Sequence, residues 1–182
     1  MTTAIFVRAG GVVAILAGIL RIMSAIISNS DSVAVKWLYP VIDIAFAISL
    51  MSLYGFQRQE IGRWGIFSFV VAELGAGLLI VNDLSGSHFY SVAALTFTSG
   101  ISLLAIVSWQ PKRLPHWISA FWIMSTLVGL MGYFLPTLGL LFIISGIIFG
   151  IGYAGAGVRI WQLRGGAGDL YGLIPDANRR LG

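Results

Sequence analysis

Arg21, Asp43 and Glu73 are ionisable side chains inside apolar stretches long enough to cross a bilayer. A charge in hydrocarbon is costly, so such residues are few and mostly face one another or a wet cavity. Counted from the expected outer face at 1.5 Å per residue, Arg21 and Asp43 lie roughly 10 Å deep and Glu73 roughly 13 Å. One cation and two carboxylates are thus expected in one layer of the outer half of the membrane. Two kinds of chemistry fit that layer. A buried pair of Arg21 with Asp43 or Glu73 would fix helix register and packing, and this structural role is the leading expectation. Alternatively, a cavity open to the outside would use the surplus carboxylate to bind a proton, a cation or an amine, because one arginine balances one carboxylate.

The neighbours of these residues suit burial against protein. Gly10, Ala14, Ala17, Gly18, Arg21, Ser24, Ala25 and Ser28 recur at helical spacing, while Leu16, Ile19 and Met23 lie mostly off that stripe. Small residues let helices approach closely in lipid, so the Arg21 face points at protein. Ala72, Ala76 and Gly77 surround Glu73, and Pro40 and Ala47 flank Asp43. Ala94, Thr98, Ser102 and Ala105 share one face and form a candidate polar wall.

The elements that must carry these residues follow from composition. The chain has 182 residues, 58% hydrophobic and 10% charged, with a mean hydropathy of +0.92. A soluble domain carries about 25% charged residues. Hydropathy divides the chain into six spans, at 4–28, 36–56, 63–82, 88–109, 116–134 and 137–161. Trp37, Trp64, Trp109, Trp117 and Trp161 fall at span ends, where amphipathic rings favour the headgroup region, and Trp122 lies within the fifth. Pro136 marks the turn between the last two spans. The first segment reads as a retained span and not a signal peptide, because its apolar run continues past Arg21 to Ile27 with no small-residue cleavage pattern.

Basic residues give an orientation. Arg8, Arg58, Arg63, Lys112, Arg113, Arg159, Arg164, Arg179 and Arg180 fall on one side, and Lys36 stands alone on the other with Asp31 and Asp83. The positive-inside rule then puts both termini in the cytoplasm. The layout resembles that of many small six-span bacterial proteins, so a bacterial inner membrane is the expected location. The fold class is an all-α, polytopic membrane bundle of six transmembrane helices over residues 1–164, followed by a flexible cytoplasmic tail at 165–182. Ala47–Met51 resembles Gly100–Leu104, with a weaker copy at Gly146–Gly150, and Arg63-Trp64-Gly65 resembles His116-Trp117-Ile118. These matches suggest three helical hairpins in a parallel repeat.

Other residues mark secondary sites. Tyr39, Asn82, Asp83 and His88 are expected at the outer mouth, where Asp83 and His88 read as solvated loop residues rather than metal ligands. Gly146, Gly150 and Ala154 form a small-residue helix interface, for packing within the bundle or for a second copy of the chain. The chain has no cysteine, which removes disulfides and thiolate chemistry. His116 falls on the cytoplasmic side and His88 on the other, which argues against a histidine metal centre. No phosphate-binding loop, dinucleotide fingerprint or kinase pattern occurs, and no cofactor or metal is expected. The net charge of +4 suits basic loops at a membrane and not a nucleic-acid partner. The expected partners are the lipid bilayer and a membrane protein or second copy of the chain. The leading functional expectation is a non-enzymatic integral membrane protein, a scaffold or accessory subunit with a buried Arg21/Asp43/Glu73 cluster. The alternative is a small transporter or ligand-binding membrane protein that uses that cluster from the outer side. An enzyme ranks third, because the acid pair lacks an evident nucleophile or metal.

Overall fold

The computed structural model describes residues 2–27, 33–110, 114–135 and 137–162. The expected tail, together with Asp31, Lys112, Arg113, Pro136 and Arg164, lies outside the described residues. Six helices account for nearly all of the rest: α1 (Thr2–Ile26), α2 (Val33–Gln57), α3 (Gly62–Ser85), α4 (Tyr90–Val107), α5 (His116–Phe134) and α6 (Leu140–Gln162). All six are long and apolar enough to cross a membrane. Their large outward side chains, among them Leu16, Leu74, Ile106 and Leu127, are exposed, as lipid-facing residues are. In hydrocarbon every backbone polar group needs an internal partner, which is why such runs are helical throughout. Pro40 withdraws one ladder donor from α2, close enough to the helix start that the freed Lys36 carbonyl sits near the bilayer surface. Gly86, with φ of 66°, takes the left-handed conformation that ends α3.

The helices form a closed ring. Each packs against its neighbours in sequence, and α6 returns to pack extensively on α1. The closing contact depends on glycines, Gly11 with Gly157 and, most tightly in both directions, Gly18 with Gly150. A Cβ on Gly18 would come within 2.5 Å of the Gly150 carbonyl oxygen, and one on Gly150 within 2.5 Å of the Gly18 oxygen. Backbones this close can be built only from small residues.

The centre of the ring is aromatic. Phe46 of α2, Phe97 of α4 and Phe149 of α6 meet on the axis, with ring centroids 5.7, 5.3 and 5.8 Å apart around the triangle. Tyr153 lies beneath, 4.6 Å from Phe46 and 5.9 Å from the fully buried Trp122. The Tyr153 hydroxyl donates to the Phe46 carbonyl at 3.1 Å and pairs with Ser49 Oγ at 3.2 Å. These bonds tie α2 to α6 across the axis.

Aligned on the three phenylalanines, the inward faces of the three hairpins correspond. Leu50, Ile101 and Tyr153 are buried one turn beyond them, and Leu53, Leu104 and Ala156 at the next inward position. In α1, α3 and α5 the buried faces also correspond: Ala14 with Ala72 and Trp122, Ala17 with Gly75 and Ser125, Ser24 with Asn82 and Gly132. The observed register differs from the one sequence similarity suggests. Ala47 falls level with Thr98 and Gly150 rather than with Gly100 and Gly146. Apolar helices share few residue types, so local likeness slides, here by two residues in α4 and four in α6, whereas the inward face cannot.

Candidate functional site

A pocket of about 70 Å³ lies on the axis immediately above the phenylalanine triangle. Every helix contributes to its wall: Arg21 from α1, Tyr39 and Asp43 from α2, Leu79 from α3, Tyr90, Ala94 and Thr98 from α4, Ser125 from α5, and Ser145 and Gly146 from α6. That volume holds a few waters or a small ion, and is well below the roughly 300 Å³ at which sites for drug-sized ligands begin. Phe46, Phe97 and Phe149 form its floor. Tyr39 and Tyr90, near the starts of α2 and α4, stand at its mouth.

Each polar group is held by its helix position. Asp43 lies one turn above Phe46 on the inward face of α2. Arg21 lies one turn above Ala17 on α1, and its guanidinium passes over Gly146, with Nε and Nη2 each 3.7 Å from where a Cβ would stand. Arg21 and Asp43 are both partly buried and interact electrostatically. Ser125 and Ser145 close the wall between α5 and α6, each hydroxyl donating to the other residue's carbonyl at 2.9 Å. The Thr98 hydroxyl donates to the Ala94 carbonyl at 2.8 Å, so its donor is satisfied within α4. Ser102 donates to Thr126 at 2.8 Å and Ala105 is fully buried, so the lower half of the expected polar wall is packing between helices.

The three expected charges do not form one buried cluster. Glu73 does not line the pocket. It lies about 9 Å deeper along α3 than Leu79, at a rise of 1.5 Å per residue. Its Oε1 is buried without a hydrogen-bond partner, and its field reaches Tyr153 beneath the floor. The reason is rotational. Ala72, Gly75, Ala76, Leu79 and Asn82 make the buried stripe of α3, and Glu73 stands beside it. The acid that does meet Asp43 is Asp83, whose carboxyl lies within hydrogen-bonding reach of the Asp43 carboxyl. Asn82 is buried and donates from Nδ2 to Asp83 Oδ1 at 3.2 Å. Tyr39 and Tyr90 share the electrostatic field of Arg21, Asp43 and Asp83. His88 is exposed in the connection between α3 and α4, and His116 stacks on Trp109 at 5.2 Å.

The small-residue face of α6 points inward. Gly146 faces Ala25 and Arg21, Gly150 faces Gly18 and Ile22, and Ala154 meets Gly18. α1 occupies all of this face.

No protein-family model, no curated protein and no solved structure matches the chain.

Proposed function

We propose that this chain is a non-enzymatic, multi-pass membrane protein that binds a small charged or polar species in the axial pocket. One observation carries the reading: in an otherwise apolar ring, a cationic and an anionic side chain from different helices face a cavity that all six helices line. Apolar side chains of matching volume would fill such a space at lower cost, because buried ion pairs rarely add stability relative to hydrophobic packing. Arg21 and Asp43 are the charged contacts, with Thr98, Ser125 and Ser145 as polar wall. Arg8, Arg58, Arg63 and Arg159 gather at the opposite end from the mouth, which supports an orientation with the mouth outside and both termini in the cytoplasm. A scaffold or accessory-subunit role would draw on the Gly146–Gly150–Ala154 face, and α1 covers that face within the bundle.

The test is thermal unfolding of the purified full chain in detergent against inorganic salts, small amines and small carboxylates. A species that binds the folded state raises the midpoint by mass action. At least one class should do so, with Asp43→Asn removing the response to a cation and Arg21→Leu the response to an anion. No response in any class, or a response that neither variant changes, would sink the reading.

A further inference from the structure

Asp43 and Asp83 come from different helices, yet their carboxyl groups lie within hydrogen-bonding reach of each other. An ionised carboxylate is an acceptor only. Two of them side by side therefore need a proton or a cation between them. Asp83 Oδ2 is buried and no donor is directed at it. Asn82 sharpens the point. It is 7% exposed, its amide is held against Asp83 by the Nδ2 bond, and its Oδ1 is buried with no partner. A buried amide oxygen without a donor is a costly vacancy in the hydrogen bonding of a folded protein. The same amide is bonded to the Asp83 carboxyl, and that carboxyl reaches Asp43 in the wall of the pocket.

From this geometry we infer that Asp43, Asp83 and Asn82 Oδ1 form a site for a monovalent metal cation, which takes the place of a proton shared by the two carboxyls. The inference rests on the pocket reading above and names the ligand class of that pocket. Charge selects the valence. Two carboxylates beside Arg21 leave one negative charge, which one proton or one monovalent cation neutralises. Among the described residues no third acidic or imidazole side chain joins the pair, as a divalent site would favour. The other groups facing the pair are the Tyr39 and Tyr90 hydroxyls from α2 and α4. Among the described residues that line the pocket, α5 and α6 contribute Ser125 and Ser145 as polar side chains. In the exchange no covalent bond other than O–H changes: the carboxyl proton leaves to water and oxygen lone pairs take up the cation.

The experiment uses the full chain in detergent, in sodium-free buffer whose ionic strength is held with N-methylglucamine chloride, and sodium chloride as probe. Thermal midpoint and proton release to an indicator dye are read together. Sodium should raise the midpoint and release about one proton per ion bound, with affinity climbing up to about tenfold per pH unit over the range of exchange. Asp43→Asn and Asp83→Asn should each abolish the proton release. Asn82→Ala should weaken sodium several-fold and leave the proton count unchanged, and Glu73→Gln should behave as wild type. Proton release from the wild-type chain decides the matter even if an aspartate variant does not fold. Absence of sodium-linked release at every pH would overturn the inference, as would a response to calcium with none to sodium. If methylammonium chloride or sodium-free glycine instead gives a shift that Asp43→Asn removes, the pocket stands and the cation site falls; if no probe does, both fall.

Discussion

Arg21 of the first hairpin, Leu79 of the second and Gly129 of the third occupy corresponding places on the inward faces of α1, α3 and α5. Asp43, Ala94 and Gly146 do the same on α2, α4 and α6, each one turn above its phenylalanine. The second and third hairpins show what these places need for packing alone, which is a small or apolar side chain. The first hairpin carries a full charge at both. The contrast separates two jobs within one repeat. The floor of Phe46, Phe97 and Phe149 is common to all three hairpins and holds the ring together. The charged rim belongs to the first hairpin, extended by Asp83 of the second. Symmetric parts thus supply stability, and departures from symmetry supply the site.

The largest expected effect strikes the shared floor. Phe46→Ala, Phe97→Ala and Phe149→Ala should each cost about 3–5 kcal/mol, and thermal unfolding in detergent should find the three costs similar. A phenylalanine that proved dispensable would break the three-fold equivalence. Next comes Arg21→Leu, which copies Leu79 into the first hairpin and leaves the two carboxyls without their cation. Removing one partner of a fully buried pair costs 3–5 kcal/mol, but this pocket meets water, so a loss of about 2 kcal/mol is expected by the same measurement. The double variant Arg21→Leu with Asp43→Ala gives the first hairpin the residues of the second at both places. Its midpoint should return to within about 1 kcal/mol of wild type while every ligand response disappears. A double variant as unstable as Arg21→Leu alone would mean that the charges serve the fold. The smallest effect is expected at Phe142, which matches Tyr39 and Tyr90 in register and is 49% exposed. Phe142→Tyr should change stability by no more than about 0.5 kcal/mol.

Much of this arrangement is legible in the sequence. Six long apolar runs closed by tryptophans define the spans, because hydrocarbon leaves the backbone no alternative to the helix. Arg21 and Asp43 stand out for the same reason, as charges in apolar surroundings. Glu73 stands out equally, and depth counting puts it in their layer. Depth alone is insufficient, because a helix also rotates each residue by about 100° from the last. The stripe Ser68, Ala72, Gly75, Ala76, Leu79 and Asn82 shows where α3 faces protein, and Glu73 lies off it. Asp83 is hidden for the opposite reason. It falls at the end of a span, where an acid normally reads as a solvated loop residue, and only the tertiary approach of α3 to α2 brings it to Asp43. One signal was present: the polar residue Asn82, beside Asp83, continues the small-residue stripe of α3. The ring closure through Gly18 and Gly150 was visible as spacing, but spacing cannot say whether the partner is α1 or another molecule.

The phenylalanine triangle bears on permeation. Three rings in mutual contact leave no water-filled path down the axis, and Tyr153 and Trp122 thicken the barrier. A solute that enters past Tyr39 and Tyr90 must leave the way it came unless whole hairpins part. Recordings from the chain in planar bilayers should therefore show no steady current, and the molecule would serve as a one-sided receptacle, filled and emptied through a single door.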